Sequence, residues 1–105
     1  MLVTDQYSLS DAEDFAEGYR ALGLGKIVGQ PTAGWIIFTS NMQLLDGSLV
    51  RVPSVRIRDA KGQDMEMNPR PVDIAVERPL GETAAGSDAQ LAAAVAALLA
   101  ELPKR

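Results

Sequence analysis

The residues best able to do chemistry stand together near the start of the chain, in Ser8-Leu9-Ser10-Asp11-Ala12-Glu13. A short apolar run, Leu2-Val3-Thr4, leads in, and apolar residues at helical spacing follow: Ala12, Phe15, Ala16, Tyr19 and Leu22. Strand, tight turn and helix in that order place Ser10 at a helix N-terminus. Unpaired backbone N–H groups and the positive end of the helix dipole converge there. Two readings of such a serine are open. In one, Ser10 and Glu13 form a capping box, each bonding the other's backbone N–H. In the other, the Ser10 hydroxyl is a nucleophile whose anionic transition state is stabilised by the helix N-terminus and a nearby N–H. Residue types alone favour the cap, because S-x-x-E is a common helix start. A nucleophile also needs a base, and the sequence holds no histidine. No Ser–His pair, imidazole base or His metal ligand can be built from this chain alone.

Several stretches together shift that balance. The segment Ser8 to Glu13 resembles the nucleophile segment of the tail-specific and tricorn serine peptidases, a small-x-Ser-x-x-Glu pattern that ends a strand and opens a helix. Similarity continues, in order, through Gly25 to Trp35, Leu45-Asp46-Gly47-Ser48, Met65-Glu66-Met67-Asn68 and Val72-Asp73-Ile74. The resemblance implies that Ser10 attacks a peptide carbonyl. In the carboxyl-terminal processing branch a lysine base follows a Thr-x-Gly turn. Here that turn is Thr32-Ala33-Gly34 and the next residue is Trp35. Lys26 is the nearest alternative, but it precedes a strand and is expected in solvent. The tricorn branch uses Ser–His–Ser–Glu, with the histidine and second serine earlier in the chain than the nucleophile. Glu66 matches its glutamate, which implies a role in orienting the histidine through that serine. Asp11 matches the residue whose backbone N–H forms half of the oxyanion hole. Relatives usually carry Gly-Val where this chain has Pro69-Arg70, a departure that bears on the aim of the loop after Glu66.

These residues need elements to hold them. The first helix is expected from about Ser10 to Leu22, stopped by Gly23 and Gly25. Lys26-Ile27-Val28 reads as a strand, and residues 29–34 as a turn-rich connection. Trp35 to Thr39 and Met42 to Leu45 are β-rich, with Asp46-Gly47 as a hairpin turn and Leu49 to Val52 as the return strand. Pro53 is expected to interrupt, and Val55 to Arg58 alternates as a half-exposed strand. The X-Pro pairs in Asn68-Pro69-Arg70-Pro71 force extended backbone, and Val72, Ile74 and Val76 alternate as a last strand. Residues 81–86 read as a linker. Ser87 with Gln90 then caps a helix whose stripe, Leu91, Val95, Leu98 and Leu102, is expected to pack as core. Trp35 is expected in the core or an interface.

Composition excludes several classes. With 105 residues, 47% apolar and 23% charged, the chain is at most one ordinary globular domain. A net charge of −4 argues against nucleic acid and anionic membrane as partners. The absence of cysteine removes disulfides, thiolate metal sites and a Cys nucleophile. No apolar run approaches the roughly 18 residues of a membrane span. No signal peptide is visible, which leans toward the cytoplasm without fixing a compartment. Glu13, Asp14 and Glu17 are expected as a solvated helix face. Asp59, Asp64 and Glu66 are too few for a metal cage, and no cofactor is called for.

The expected fold is α/β, resembling the crotonase and ClpP type, with a β-hairpin arm from Trp35 to Arg58. Residues 1–80 are expected to be the C-terminal portion of a serine peptidase catalytic domain, and residues 81–105 its loop and closing helix. The partners implied by the resemblance are a peptide or protein substrate, an upstream half of the same enzyme, and further copies in a homo-oligomer. A non-catalytic peptide-binding or assembly module is the rival expectation.

Overall fold

The computed structural model describes residues 1–103. In chain order the elements are β1 (Leu2–Thr4), α1 (Asp11–Ala21), β2 (Ile27–Gly29), β3 (Phe38–Gln43), β4 (Leu49–Val55), β5 (Ile74–Ala75) and α2 (Ala89–Glu101). They form an α/β arrangement. β1, β2 and β5 make a parallel sheet with β2 in the middle, Leu2 opposite Ile27 and Val28 opposite Ile74. Parallel neighbours require a crossover, and α1 supplies it between β1 and β2. All three residues of β2 are buried, as expected of a parallel strand covered on both faces. Gly29 closes that strand at φ +118°, where a Cβ would overlap the Thr4 carbonyl. Only glycine fits there.

β3 and β4 form a separate antiparallel hairpin. Its turn is closed by Asp46, whose Oδ1 accepts the Ser48 N–H at 2.9 Å. Contrary to the expected interruption, β4 runs straight through Pro53. Phe38 faces Val55 and Thr39 faces Pro53, so Ser54 is left without an opposite residue. This bulge absorbs the missing proline N–H. The expected strand residues Trp35 to Ile37 stay outside the hairpin, and the last strand shortens to Ile74–Ala75. With the hairpin extended as an arm, the molecule measures 68 × 37 × 17 Å and its radius of gyration is 17.6 Å. A compact chain of this length would give about 13 Å.

The core is small: Ala16, Ile27, Val28, Ile36, Met65 and Ala94. Neither helix buries its expected apolar stripe. In α1 the buried residues are Glu13 and Ala16, while Phe15 and Leu22 are exposed. In α2 they are Gln90 and Ala94, and Leu91, Val95, Leu98 and Leu102 face outward. The small-residue face lets α2 approach the sheet closely, where Gln90 Nε2 donates to the Val76 carbonyl at 3.0 Å. Its N-cap is Asp88 rather than Ser87, accepting the Leu91 N–H at 2.9 Å. The residues read as a linker hold Glu82, buried and accepting the Ala89 N–H at 2.8 Å. Among the described residues no helix is long and apolar enough to cross a membrane.

Candidate active site

Ser10 stands at the N-cap of α1, exposed, with φ 56° and ψ −122°. A side chain is disfavoured there, at about 1–3 kcal/mol, and such strain persists only where the surroundings impose it. The surroundings are identifiable. A tight turn, in which Asp5 Oδ1 accepts the Tyr7 N–H at 3.0 Å and the Ser8 hydroxyl at 3.1 Å, delivers the chain from β1. The Ala33 N–H donates to the Ser8 carbonyl at 2.9 Å, and the Ser10 N–H to the Trp35 carbonyl at 3.0 Å. The Ser10 residue is thus laced on both sides to the connection that follows β2.

Glu13 fastens the same turn from beneath. Its carboxylate is 1% exposed. One oxygen accepts the Thr32 hydroxyl at 2.6 Å and the Gly34 N–H at 2.7 Å. The other accepts the Trp35 N–H at 2.8 Å and the Ser10 N–H at 3.2 Å. The expected solvated face therefore fails at Glu13, which is buried because four donors compensate its lost hydration. Both halves of the expected capping box are in place, the Ser10 side chain facing the Glu13 N–H. That N–H nevertheless makes its hydrogen bond to the Ser10 carbonyl, at 2.7 Å, and the hydroxyl makes no cap bond of its own. The Asp11 N–H, next in the chain, has no acceptor among the described residues.

Glu66 reaches the same groove from the far side of the chain. With Leu9, Ser10, Trp35, Ile37, Thr39, Arg51 and Met67 it lines a groove of about 460 Å³. Its Oε2 accepts the Ile36 and Ile37 N–H groups at 2.8 and 2.7 Å. Oε1 carries no bond among the described residues and is free to accept another. Met67 follows at φ 57°, its N–H bound to the Gly34 carbonyl at 2.8 Å. Among the described residues, Ser10 and Met67 are the two non-glycine residues with positive φ, and both line this groove.

The loop after Glu66 is set by the Pro69-Arg70 pair. Arg70 is 5% exposed. Its N–H donates to Thr32 Oγ1 at 2.7 Å, and its guanidinium to Glu17 at 3.0 Å and to the Asn68 carbonyl at 2.7 Å. Glu17, expected in solvent with Glu13, is drawn in as its counterion. Gly34, at φ +74°, lies against Pro69, and a Cβ there would come within 3.0 Å of the proline ring. Arg70, Thr32 and Glu13 thus connect the loop bearing Glu66 to the turn bearing Ser10.

A match to the family model described as "Peptidase family S41" covers residues 1–76, taking in both the turn of Ser10 and the loop of Glu66. The chain belongs to peptidase family S41. The S41 peptidases it resembles include the tricorn protease of Thermoplasma acidophilum, 32% identical over 103 residues. Tricorn protease homolog 1 of Streptomyces coelicolor is 33% identical over 102 residues. Each alignment takes in 95% of this chain, which spans about a tenth of the length of either relative. The crystal structure of the tricorn protease superposes with a TM-score of 0.81 over 94% of this chain and 10% of its own, at 25% identity.

Of the three site residues expected from sequence, Ser10 and Glu66 line one groove. Asp11 is not among its lining residues, and its N–H, at the helix start, has no acceptor among the described residues. Lys26 lies elsewhere, its Nζ bound to Glu101 at 2.8 Å. Trp35 is 65% exposed and belongs to the groove, not to the core. Sequence reasoning missed the burial of Glu13, for which S-x-x-E gave only the cap. It also missed the turn at Met67 and the presence of Arg51, for which residue type gives no signal.

Proposed function

We propose that the chain carries part of the catalytic centre of a serine endopeptidase of the tricorn type, with Ser10 as nucleophile. The observation that carries this reading is the conformation of Ser10, strained, exposed and followed by an unpaired Asp11 N–H. A capping serine has no need of a disfavoured backbone, since caps sit comfortably in the extended region. A nucleophile presented on a strained strand-to-helix turn is a recognised device in hydrolases.

In the proposed reaction Ser10 Oγ adds to the scissile carbonyl while its proton passes to a histidine contributed from outside this chain. The Asp11 N–H stabilises the developing oxyanion as one of its donors. Collapse breaks the C–N bond, the amine leaves with the proton from the histidine, and water then hydrolyses the Ser10 ester by the reverse proton path. Glu66, held by two backbone N–H groups with one oxygen free, orients the histidine through an intervening serine. Residues 1–80 are read as the later portion of a catalytic domain of the crotonase and ClpP type, and residues 81–105 as its closing loop and helix. Peptides are the substrate class, and the working form is an assembly.

A mixing assay with a fluorophosphonate probe tests this. Three samples are compared: the chain alone, the chain with the upstream half that carries the histidine, and that mixture with Ser10→Ala. Labelling is expected in the second sample only. General base catalysis is commonly worth about 10²- to 10⁴-fold, so the chain alone should react very slowly. Strong labelling of the chain alone, or labelling that survives Ser10→Ala, overturns the proposal.

A further inference from the structure

Charge in the groove is unevenly settled. The described arginines Arg20, Arg56, Arg58, Arg70 and Arg78 each have a carboxylate within 4.0 Å. Arg51 is the exception among the described residues, and it is the arginine that lines the groove beside Ser10. Its place is not left to chance. Asn41 is its cross-strand partner in the hairpin, and Thr39 lies diagonally across on the same face. Thr39 Oγ1 accepts from Arg51 Nε at 3.0 Å and from Nη2 at 2.7 Å. Two bonds to one oxygen fix the plane of the guanidinium and leave Nη1 and the second Nη2 hydrogen unspent. The groove's own carboxylate, Glu66, is turned to the Ile36 and Ile37 amides instead. Leu9, Trp35, Ile37 and Met67 supply the apolar part of the lining, beside Ser10, Thr39 and Glu66.

We infer that Arg51 is a specificity-determining residue that receives a carboxylate of the bound peptide. This rests on the peptidase reading above and names the substrate class it favours: peptides with an acidic group spaced to reach the hairpin while an apolar stretch lies along Trp35 and Ile37. A preplaced guanidinium with free donors in a largely apolar groove matches a planar carboxylate better than any neutral group. The carboxylate has two sources in a peptide, an Asp or Glu side chain or the free C-terminus.

Trp35 is the sole tryptophan of the chain, so its fluorescence reports groove occupancy without any need for turnover. Four peptides of one apolar sequence are titrated into the chain: with or without one glutamate in place of glutamine, each with a free or amidated C-terminus. Carboxylate-bearing peptides are expected to bind about tenfold more tightly than the neutral amide, as one charge-assisted pair supplies. The glutamate amide and the neutral free acid show which source is used. Arg51→Gln should erase the difference between the carboxylate-bearing peptides and the neutral amide, and Arg51→Lys should restore part of it. Equal affinities in the wild-type chain, no binding of any peptide at millimolar concentration, or a preference that survives Arg51→Gln overturns the inference. Failure of the peptidase reading would appear separately, as absent Ser10 labelling with this preference intact.

Discussion

At the scale of single residues, two side chains hold opposite ends of one strain. Ser10 occupies φ 56°, ψ −122°, and glycine would sit there without a Cβ penalty. Ser10→Gly should therefore stabilise the fold by about 0.5–2 kcal/mol, the relieved strain less the entropy of an added glycine. Ser10→Ala, which keeps the Cβ, should leave stability nearly unchanged. Both should abolish labelling. Urea unfolding of the three proteins checks this, and a Ser10→Gly variant less stable than Ser10→Ala would show that the turn is unstrained. Glu13 supplies the restraint. In Glu13→Gln one oxygen becomes an NH₂ facing two donors, which leaves buried N–H or O–H groups unpaired at about 1–3 kcal/mol each. The expected loss is about 2–4 kcal/mol, together with the reactivity of Ser10. Wild-type stability in Glu13→Gln would mean that the turn stands without it.

Among elements, the sheet is pinned to α1 by one carboxylate. Asp73 Oδ1 accepts Arg20 Nη1 at 2.8 Å, and Oδ2 accepts the Ile27 N–H at 2.7 Å. These bonds, the arginine's first, hold the Asp73 carboxyl below its usual range. The unfolded chain binds the proton more readily, so the contribution of Asp73 is fully present above the ordinary aspartate pKa of about 3.9. It is lost as pH falls through the lowered folded value. The side chain is a third exposed, which makes the effect modest. Asp73→Asn should be less stable than wild type at pH 7, with the gap closing below about pH 4. Denaturant midpoints at several pH values measure it, and a gap independent of pH would assign the loss to packing.

For the whole molecule, the accessible surface is 7558 Å², about a third more than the roughly 5,700 Å² of a compact monomer of this mass. Leu91, Val95, Leu98, Leu99 and Leu102 on α2, and Phe38, Met42, Leu49 and Val50 on the hairpin, contribute to it. β1 also presents an unpaired edge. Large exposed apolar area and open edges promote association. The chain is therefore expected to self-associate with concentration. Sedimentation velocity across a hundredfold range of concentration distinguishes the outcomes. A monomer throughout that range would mean that the exposed faces are tolerated in solution.

Local chemistry determined much of this without the structure. Apolar runs and glycines placed β1, α1, β2 and the hairpin turn, since each depends on near neighbours in the chain. The same logic placed Ser10 at the helix start, because a serine between a strand and a helix is positioned by its own turn. Residue types there favoured a cap, and the resemblance to the serine peptidases is what singled it out. Tertiary structure decided what depends on distant partners. Glu13 and Glu17 read as solvated until Thr32, the 34–35 amides and Arg70 were brought against them. The stripe of α2 read as core, yet close approach to the sheet required alanine and left the leucines outside. Pro53 read as a strand break, and a bulge one residue long carried the strand past it. Burial of a charge, or exposure of a leucine, follows from what the rest of the chain places opposite, and no window of sequence contains that.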